Sequence, residues 1–137
     1  MICDTSALLA SLWPQQAEHE RCVAAIEASE RRVISPLGLT EIDHLIGNRV
    51  GRAEAAKAMT MFADGNYELA SLDWSDIRAV LEVERTYRDL GIGLVEASLV
   101  VLAKRYKTNE IFTLDQRHFR AMRGLDGRHF KLLPFDA

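Results

Sequence analysis

Cysteine is scarce in this chain, and the two present, Cys3 and Cys22, belong to no CxxC pair. That excludes a disulfide framework and speaks against a zinc site, so both read as small buried hydrophobes of a reducing cytosol. Long hydrophobic runs are missing too. The longest apolar stretches fall far short of a membrane span, so no membrane association is expected. No basic segment precedes an apolar one at the start, so no signal peptide is expected and the location is cytoplasmic. Low-complexity tracts are absent, and with 48% hydrophobic residues and mixed charges the chain is not disordered. Strong charge of one sign is also lacking. A net charge of −3 speaks against a nucleic-acid partner until its distribution is read. From Lys104 onward, Lys104, Arg105, Lys107, Arg117, Arg120, Arg123, Arg128 and Lys131 face only Glu110, Asp115, Asp126 and Asp136. The carboxyl end is therefore basic within an acidic protein, either as a solvated face or as a patch for phosphates.

What is present fits one domain over residues 1–137, long enough to bury a good core. Met1-Ile2-Cys3 reads as a short buried strand. Asp4-Thr5-Ser6 follows, and Ala7-Leu8-Leu9-Ala10 begins a helix that Trp13-Pro14 ends. Asp4 thus stands where a strand gives way to a helix, as a helix cap or as an acid at the edge where open α/β sheets bind ligands. A second helix is expected from Gln16 to Glu30, closed by Arg31-Arg32. Val33-Ile34 is a second strand. Ser35-Pro36 then starts a helix in which Leu37, Glu41 and Leu45 share one face, while Asp43 and His44 point to solvent.

Asn48–Gly51 breaks that pattern. The spacing predicts a helix over Arg52–Ala63 with Ala55, Ala56, Met59 and Phe62 inward, and a strand over Tyr67–Ala70. Asp73 caps the next helix with Asp76 at the capping-box position, and that helix runs to about Asp89. Its apolar positions include Ile77, Val80, Leu81 and Val83, with Trp74 packing at its start. Leu94–Ala103 is apolar nearly all round and therefore central, with Glu96 its only charge. A lone buried carboxylate costs several kcal/mol unless paired or metal-bound. As a first-turn anion, Glu96 could also be purely structural. A strand over Glu110–Leu114 runs into Asp115, a short helix covers Gln116–Met122, and Phe130–Pro134 is the last strand.

Strands alternating with helices imply a parallel sheet with helices on both faces. Asp4 and Asp115 both follow strands, and Glu41 and Glu96 lie early in helices that could start at the same edge. Acids so gathered repel one another without a counterion, and an all-oxygen set suits Mg²⁺ or Mn²⁺ better than zinc.

The stretches Ile2-Cys3-Asp4-Thr5-Ser6-Ala7-Leu8, Ser35-Pro36 through Thr40-Glu41-Ile42, and Thr113-Leu114-Asp115-Gln116-Arg117-His118-Phe119 together resemble a PIN domain, in particular the toxin of a bacterial VapBC toxin–antitoxin pair. The resemblance spans essentially the whole chain. It implies a three-layer α/β/α domain with a short central parallel sheet of about five strands. It implies an endoribonuclease that uses Mg²⁺ or Mn²⁺ to activate water against a phosphodiester of tRNA or ribosomal RNA, leaving a 5′-phosphate and a 3′-hydroxyl. Asp4, Glu41, Glu96 and Asp115 become the catalytic acids, of which Asp4, Glu96 and Asp115 hold the metal. Ser6 and Thr113 line the pocket, and Arg117 or Arg120 would grip the RNA backbone. The usual Asp of the apolar helix is Glu96 here, which moves its oxygens outward by about a bond length. A homodimer is implied, as is an inhibitory antitoxin segment seated in an apolar groove near Trp13. The rival readings are a PIN-like binding domain without catalysis and a receiver-like signalling domain, which would need a second acid beside Asp4.

Overall fold

Strands and helices alternate through the computed structural model, which describes Met1–Ala137. In chain order they are β1 (Ile2–Cys3), α1 (Thr5–Leu12), α2 (His19–Ala28), β2 (Val33–Ile34), α3 (Pro36–Arg49), α4 (Arg52–Asp64), β3 (Glu68–Leu69), α5 (Trp74–Thr86), a 3-10 turn (Arg88–Leu90), α6 (Leu94–Arg105), β4 (Glu110–Phe112), α7 (Gln116–Ala121) and β5 (Lys131–Leu133). The five strands form one parallel sheet in the order β3-β2-β1-β4-β5.

The pleat sorts the core. Ile2, Val33, Ile111 and Leu132 face one apolar cluster, shared with Val80 and Val83 of α5 and Leu99 and Leu102 of α6. Their neighbours Cys3, Ile34, Phe112 and Leu133 face the other, with Leu8 of α1, Ile42 of α3 and Phe62 of α4. Helices cover both faces at the centre, which is why β1 and β2 read as plain apolar runs, whereas β3 at the edge, Glu68–Leu69, is exposed. Ala97 to Ala103 of α6 are all buried, as a helix apolar all round requires.

β1 is the centre of the sheet and the point where the strand order reverses. The chain lays β2 and β3 to one side, then returns to place β4 and β5 on the other. Connections leaving β1 and β4 therefore diverge and open a crevice at the carboxyl edge. The two strands stay joined to that edge, because the Asp4 N–H donates to the Phe112 carbonyl at 2.8 Å.

Several boundaries differ from those the sequence suggests. α2 begins at His19, not Gln16, because residues after Trp13 are used in turns: Gln16 N–H donates to Trp13 O at 3.0 Å and His19 N–H to Gln16 O at 3.1 Å. α2 ends at Ala28, so Arg31 and Arg32 do not close it. Arg31 instead binds Glu68 through two N–H groups at 2.8 and 3.1 Å and lies over the Tyr106 ring, while Arg32 lies over Tyr67. α3 continues through Asn48 to Arg49. In α4 the buried face uses Ala58, and Ala56 is exposed. Trp74 is 77% exposed rather than packed, and Leu81 is 48% exposed. The expected capping box does form, with Asp73 and Asp76 exchanging 2.9 Å bonds.

Candidate active site

Asp4 forms the floor of the crevice, only 6% exposed. It caps α1, and more. Oδ1 accepts from the Thr5 N–H at 2.9 Å; Oδ2 accepts from the Ser6 hydroxyl at 3.2 Å and the Thr113 hydroxyl at 2.6 Å. Burial pushes the Asp4 carboxyl up to about 6 and the Glu96 charge adds to this, while the Thr113 hydrogen bond works the other way. Thr113 is fully buried, and its Oγ1 also accepts from the Asp115 N–H at 2.9 Å. Ser6 Oγ accepts from the Leu114 N–H at 2.9 Å. These two hydroxyls tie the segment after β1 to the segment after β4. Ser6 lines the cleft, whereas Thr113, expected there too, lies behind it, fully buried, because its hydroxyl is taken up by Asp4 and the Asp115 N–H.

Asp115 caps α7. Oδ1 accepts from the His118 backbone N–H at 3.0 Å, and Oδ2 lies 2.7 Å from His118 Nδ1. Glu96 sits in the first turn of α6, half-buried, with Oε2 accepting from the Gly93 N–H at 3.0 Å. It is therefore neither fully buried nor unpaired, and the cost expected of a lone buried carboxylate does not arise. Asp76 caps α5 from the same position with a shorter side chain, so the cap does not depend on the extra methylene. A Cβ at residue 93 would stand 3.3 Å from that oxygen, so glycine there leaves room for the cap. Glu41 lies on α3 between Leu37 and Leu45, all three half-buried, so its stripe is the rim of the helix face; Gly38, Ile42 and Ile46 form the buried part.

Asp4, Glu41, Glu96 and Asp115, carried by four different segments, line one cleft of about 360 Å³. No three of them meet in a ready-made coordination group, because Asp4, Glu96 and Asp115 are each held by local bonds. The donor chemistry nonetheless fits a hard divalent ion, being all oxygen at the rim. Thr5 Oγ1, on the wall of the same cleft, is buried without a hydrogen-bond partner, which fits a bound water or ligand there. A larger cavity, about 570 Å³, opens at the amino edge of the sheet; of its charged side chains Lys131 pairs with Glu110 and Arg31 with Glu68, and only Glu30 is outside an ion pair. The smaller cleft is where unsatisfied chemistry converges.

Half of the eight cations of the basic carboxyl end are neutralised in place. Arg105 pairs with Asp76, Arg128 with Asp126, and Lys131 with Glu110. Arg120 binds both oxygens of Asp136, at 3.0 and 2.8 Å, and the Gln116 side chain as well. It is therefore a tie to the last strand rather than a free cation, whereas Arg117 is exposed and outside these pairs. Two cleft residues escaped the sequence reading, Gln16, hidden in the turn after α1, and Arg49; Trp13, expected beside an apolar groove, lines the cleft too. Arg49 could have been found by extending the four-residue spacing of Glu41 and Leu45 one step. His118 was legible only as the third residue after a helix-capping Asp. Beside the cleft, Leu12, Trp13, Ile46, Val50, Ala58 and Met61 line an apolar groove of about 210 Å³, where a groove near Trp13 was expected.

Comparison with known proteins gives the family and the fold. The PIN domain family matches residues 1–125. The chain is 38% identical over 135 residues to Ribonuclease VapC26 of Mycobacterium tuberculosis, covering 98% of this chain and 100% of that protein. Among solved structures it is similar to M. tuberculosis VapC20, a Sarcin-Ricin loop cleaving toxin (TM-score 0.76, 15% identity, 85% of this chain and 90% of the other). It is also similar to VapBC2 from Rickettsia felis bound to a promoter DNA fragment (TM-score 0.68, 10% identity, 96% of each chain). A toxin-antitoxin complex from Klebsiella pneumoniae gives a TM-score of 0.65 at 15% identity, over 90% of this chain and 92% of the other. At those identities the structures speak for the fold alone.

Proposed function

The chain belongs to the PIN-domain family, among the VapC ribonucleases, and from that premise we propose that it is the toxin of a VapBC toxin–antitoxin pair, an endoribonuclease that uses Mg²⁺ or Mn²⁺ to hydrolyse tRNA or ribosomal RNA. The observation that carries this is the gathering of Asp4, Glu41, Glu96 and Asp115 in one cleft at the reversal point of the sheet.

In this reading Asp4, Glu96 and Asp115 hold the divalent ion, directly or through water. Bound there, the ion supplies a Lewis acid and a water of lowered pKa. The chain's own residues do the rest. Thr113 and Ser6 fix the Asp4 carboxylate, and His118 fixes Asp115. Glu96 would hold the ion from its place in the cleft lining, in the first turn of α6. Glu41, at the rim, accepts the proton from the water that attacks phosphorus. The P–O3′ bond breaks and the 3′-oxygen takes up a proton from solvent water, giving a 3′-hydroxyl and a 5′-phosphate, while Glu41 returns its proton to solvent. Arg117 offers an exposed charge to the RNA backbone.

The cognate antitoxin is read as laying an apolar segment into the groove beside the cleft, and the toxin as a homodimer. Two buried free cysteines suit the cytoplasm, and no helix is long and apolar enough to cross a membrane. The test is incubation of the antitoxin-free protein with total bacterial RNA plus Mg²⁺ or Mn²⁺, beside Asp4→Asn and EDTA controls. Discrete fragments absent from both controls are expected. No cleavage by the folded protein with either metal overturns the reading for those RNAs.

A further inference from the structure

Trp13, Gln16 and Arg49 line the acidic cleft as well, and Trp13 also shares the neighbouring groove with Ile46 and Val50, which flank Arg49 at the end of α3. Trp13 is half-buried at the end of α1. Gln16 is exposed in the following turn, whose backbone is pinned by the Gln16 N–H to Trp13 O and His19 N–H to Gln16 O bonds. Arg49 closes α3. It lies on the face of Glu41 and Leu45, and a helical side chain leans toward the amino end of its helix, here toward Glu41.

Arg49 is the one cation in the lining. It is also outside the ion pairs that engage Arg21, Arg31, Arg52, Arg85, Arg88, Arg105, Arg120 and Arg128. Two helical turns, about 12 Å, separate its Cα from that of Glu41, which leaves space between guanidinium and carboxylate instead of a salt bridge. An indole, an amide and an unpaired guanidinium lining an acidic cleft have a shared use. An indole face stacks a splayed-out base, an amide bonds its edge, and a guanidinium fork grips a phosphate bidentately.

Resting on the ribonuclease reading above, we propose that Trp13, Gln16 and Arg49 form a subsite for one unstacked nucleotide next to the scissile phosphate. Trp13 stacks its base and Arg49 grips its phosphate. The substrate class is then RNA with single-stranded nucleotides at the cut, such as a hairpin loop, and continuous A-form duplex is excluded because its bases cannot leave the stack.

Binding of a fluorescein-labelled RNA hairpin with a mixed-sequence loop, and of a blunt duplex of the same stem, tests this in EDTA, where nothing is cut. The proteins are the full chain, Arg49→Ala, Arg49→Lys, Trp13→Phe and the distant, exposed Arg78→Ala. The full chain is expected to prefer the looped RNA. Arg49→Ala should weaken hairpin binding about tenfold and flatten the slope of log affinity against log salt by about 0.7, the loss of one phosphate contact. Arg49→Lys should recover the slope but only part of the affinity. Trp13→Phe should keep the loop preference, and Arg78→Ala should match the full chain. An Arg49→Ala protein with unchanged affinity and slope overturns the subsite, as does equal affinity for loop and duplex or no RNA binding at all. If that variant also cuts RNA normally with metal, the ribonuclease reading stands without the subsite. Arg49-dependent binding with no cleavage under either metal overturns the ribonuclease reading and leaves the subsite.

Discussion

Thr113 donates a 2.6 Å hydrogen bond to Asp4 from 109 residues further along the chain, and the same oxygen accepts the Asp115 N–H at 2.9 Å. One buried hydroxyl thus sets two of the acids at once. Thr113→Val keeps the shape and deletes both bonds. Because one partner is a buried carboxylate, the variant should lose about 2 kcal/mol of stability. Metal affinity should drop roughly 10- to 100-fold, as when an outer partner of a metal ligand is removed. Thr113→Ser should behave like the parent. Thermal melts with and without Mg²⁺, plus calorimetric titration of Mn²⁺, read both effects; a Val variant matching the parent in both refutes this role.

Asp4 carries a pH signature. Its carboxyl rises from 3.8 to about 6 in the folded chain, burial being the main cause. The folded state therefore favours the protonated acid. That contribution is fully present below pH 3.8 and is lost as pH climbs through 6, by up to about 3 kcal/mol for a shift of this size. Asp4→Asn, which cannot ionise, should be the more stable protein at pH 7.5 while inactive, and its advantage should vanish near pH 4. Added Mg²⁺ should raise the melting temperature of the parent and not of the variant. A variant less stable than the parent at pH 7.5 would contradict the sign.

The pair Glu96→Gln and Glu96→Asp separates helix capping from metal holding. The amide oxygen of Gln can still accept from Gly93 N–H, so Glu96→Gln should melt like the parent and lose nearly all cleavage. Asp can keep the cap, as Asp76 does at the same position of α5, so Glu96→Asp should also melt like the parent and retain metal binding. Cleavage by Glu96→Gln at the parent rate would make Glu96 a cap only.

Local chemistry made much of this legible. Asp4, Asp115 and Glu96 follow strands or open helices with capping patterns that survive without tertiary context. The sheet followed from strand–helix alternation, and the strand order from none of it, because strands of two or three residues that are apolar on both faces carry no pairing code. Trp74 misled, since an aromatic at a helix start looks the same whether it packs or faces solvent. Arg49 and Gln16 were silent because only the packing of α1 against α3 brings their turns to the cleft.

Arg120 and Arg117 are three residues apart and should respond differently. Arg120 grips Asp136, which also accepts the Leu132 N–H at 2.8 Å, so Arg120→Ala should lower the melting temperature slightly and leave RNA affinity alone. Arg117→Ala should leave the melt unchanged and lower RNA affinity in a salt-dependent way. Melts and binding isotherms on both variants check this, and the reverse pattern would reassign the phosphate contact to Arg120.

Inhibition should depend on the groove and not on the acids. Val50 and Met61 are 56% and 52% exposed on its rim, so Val50→Asp and Met61→Asp should fold as the parent does. Trp13 borders both groove and cleft, so a chain seated on the apolar side leads directly to the acids. Burying a new carboxylate under an apolar partner segment is costly, enough to weaken binding more than tenfold. Both variants should therefore cut RNA at the parent rate while the cognate antitoxin no longer silences them, seen as continued growth arrest when the two are co-expressed. Full silencing of both variants would place the antitoxin on another face. Loss of cleavage with intact folding would instead make the groove part of the RNA path.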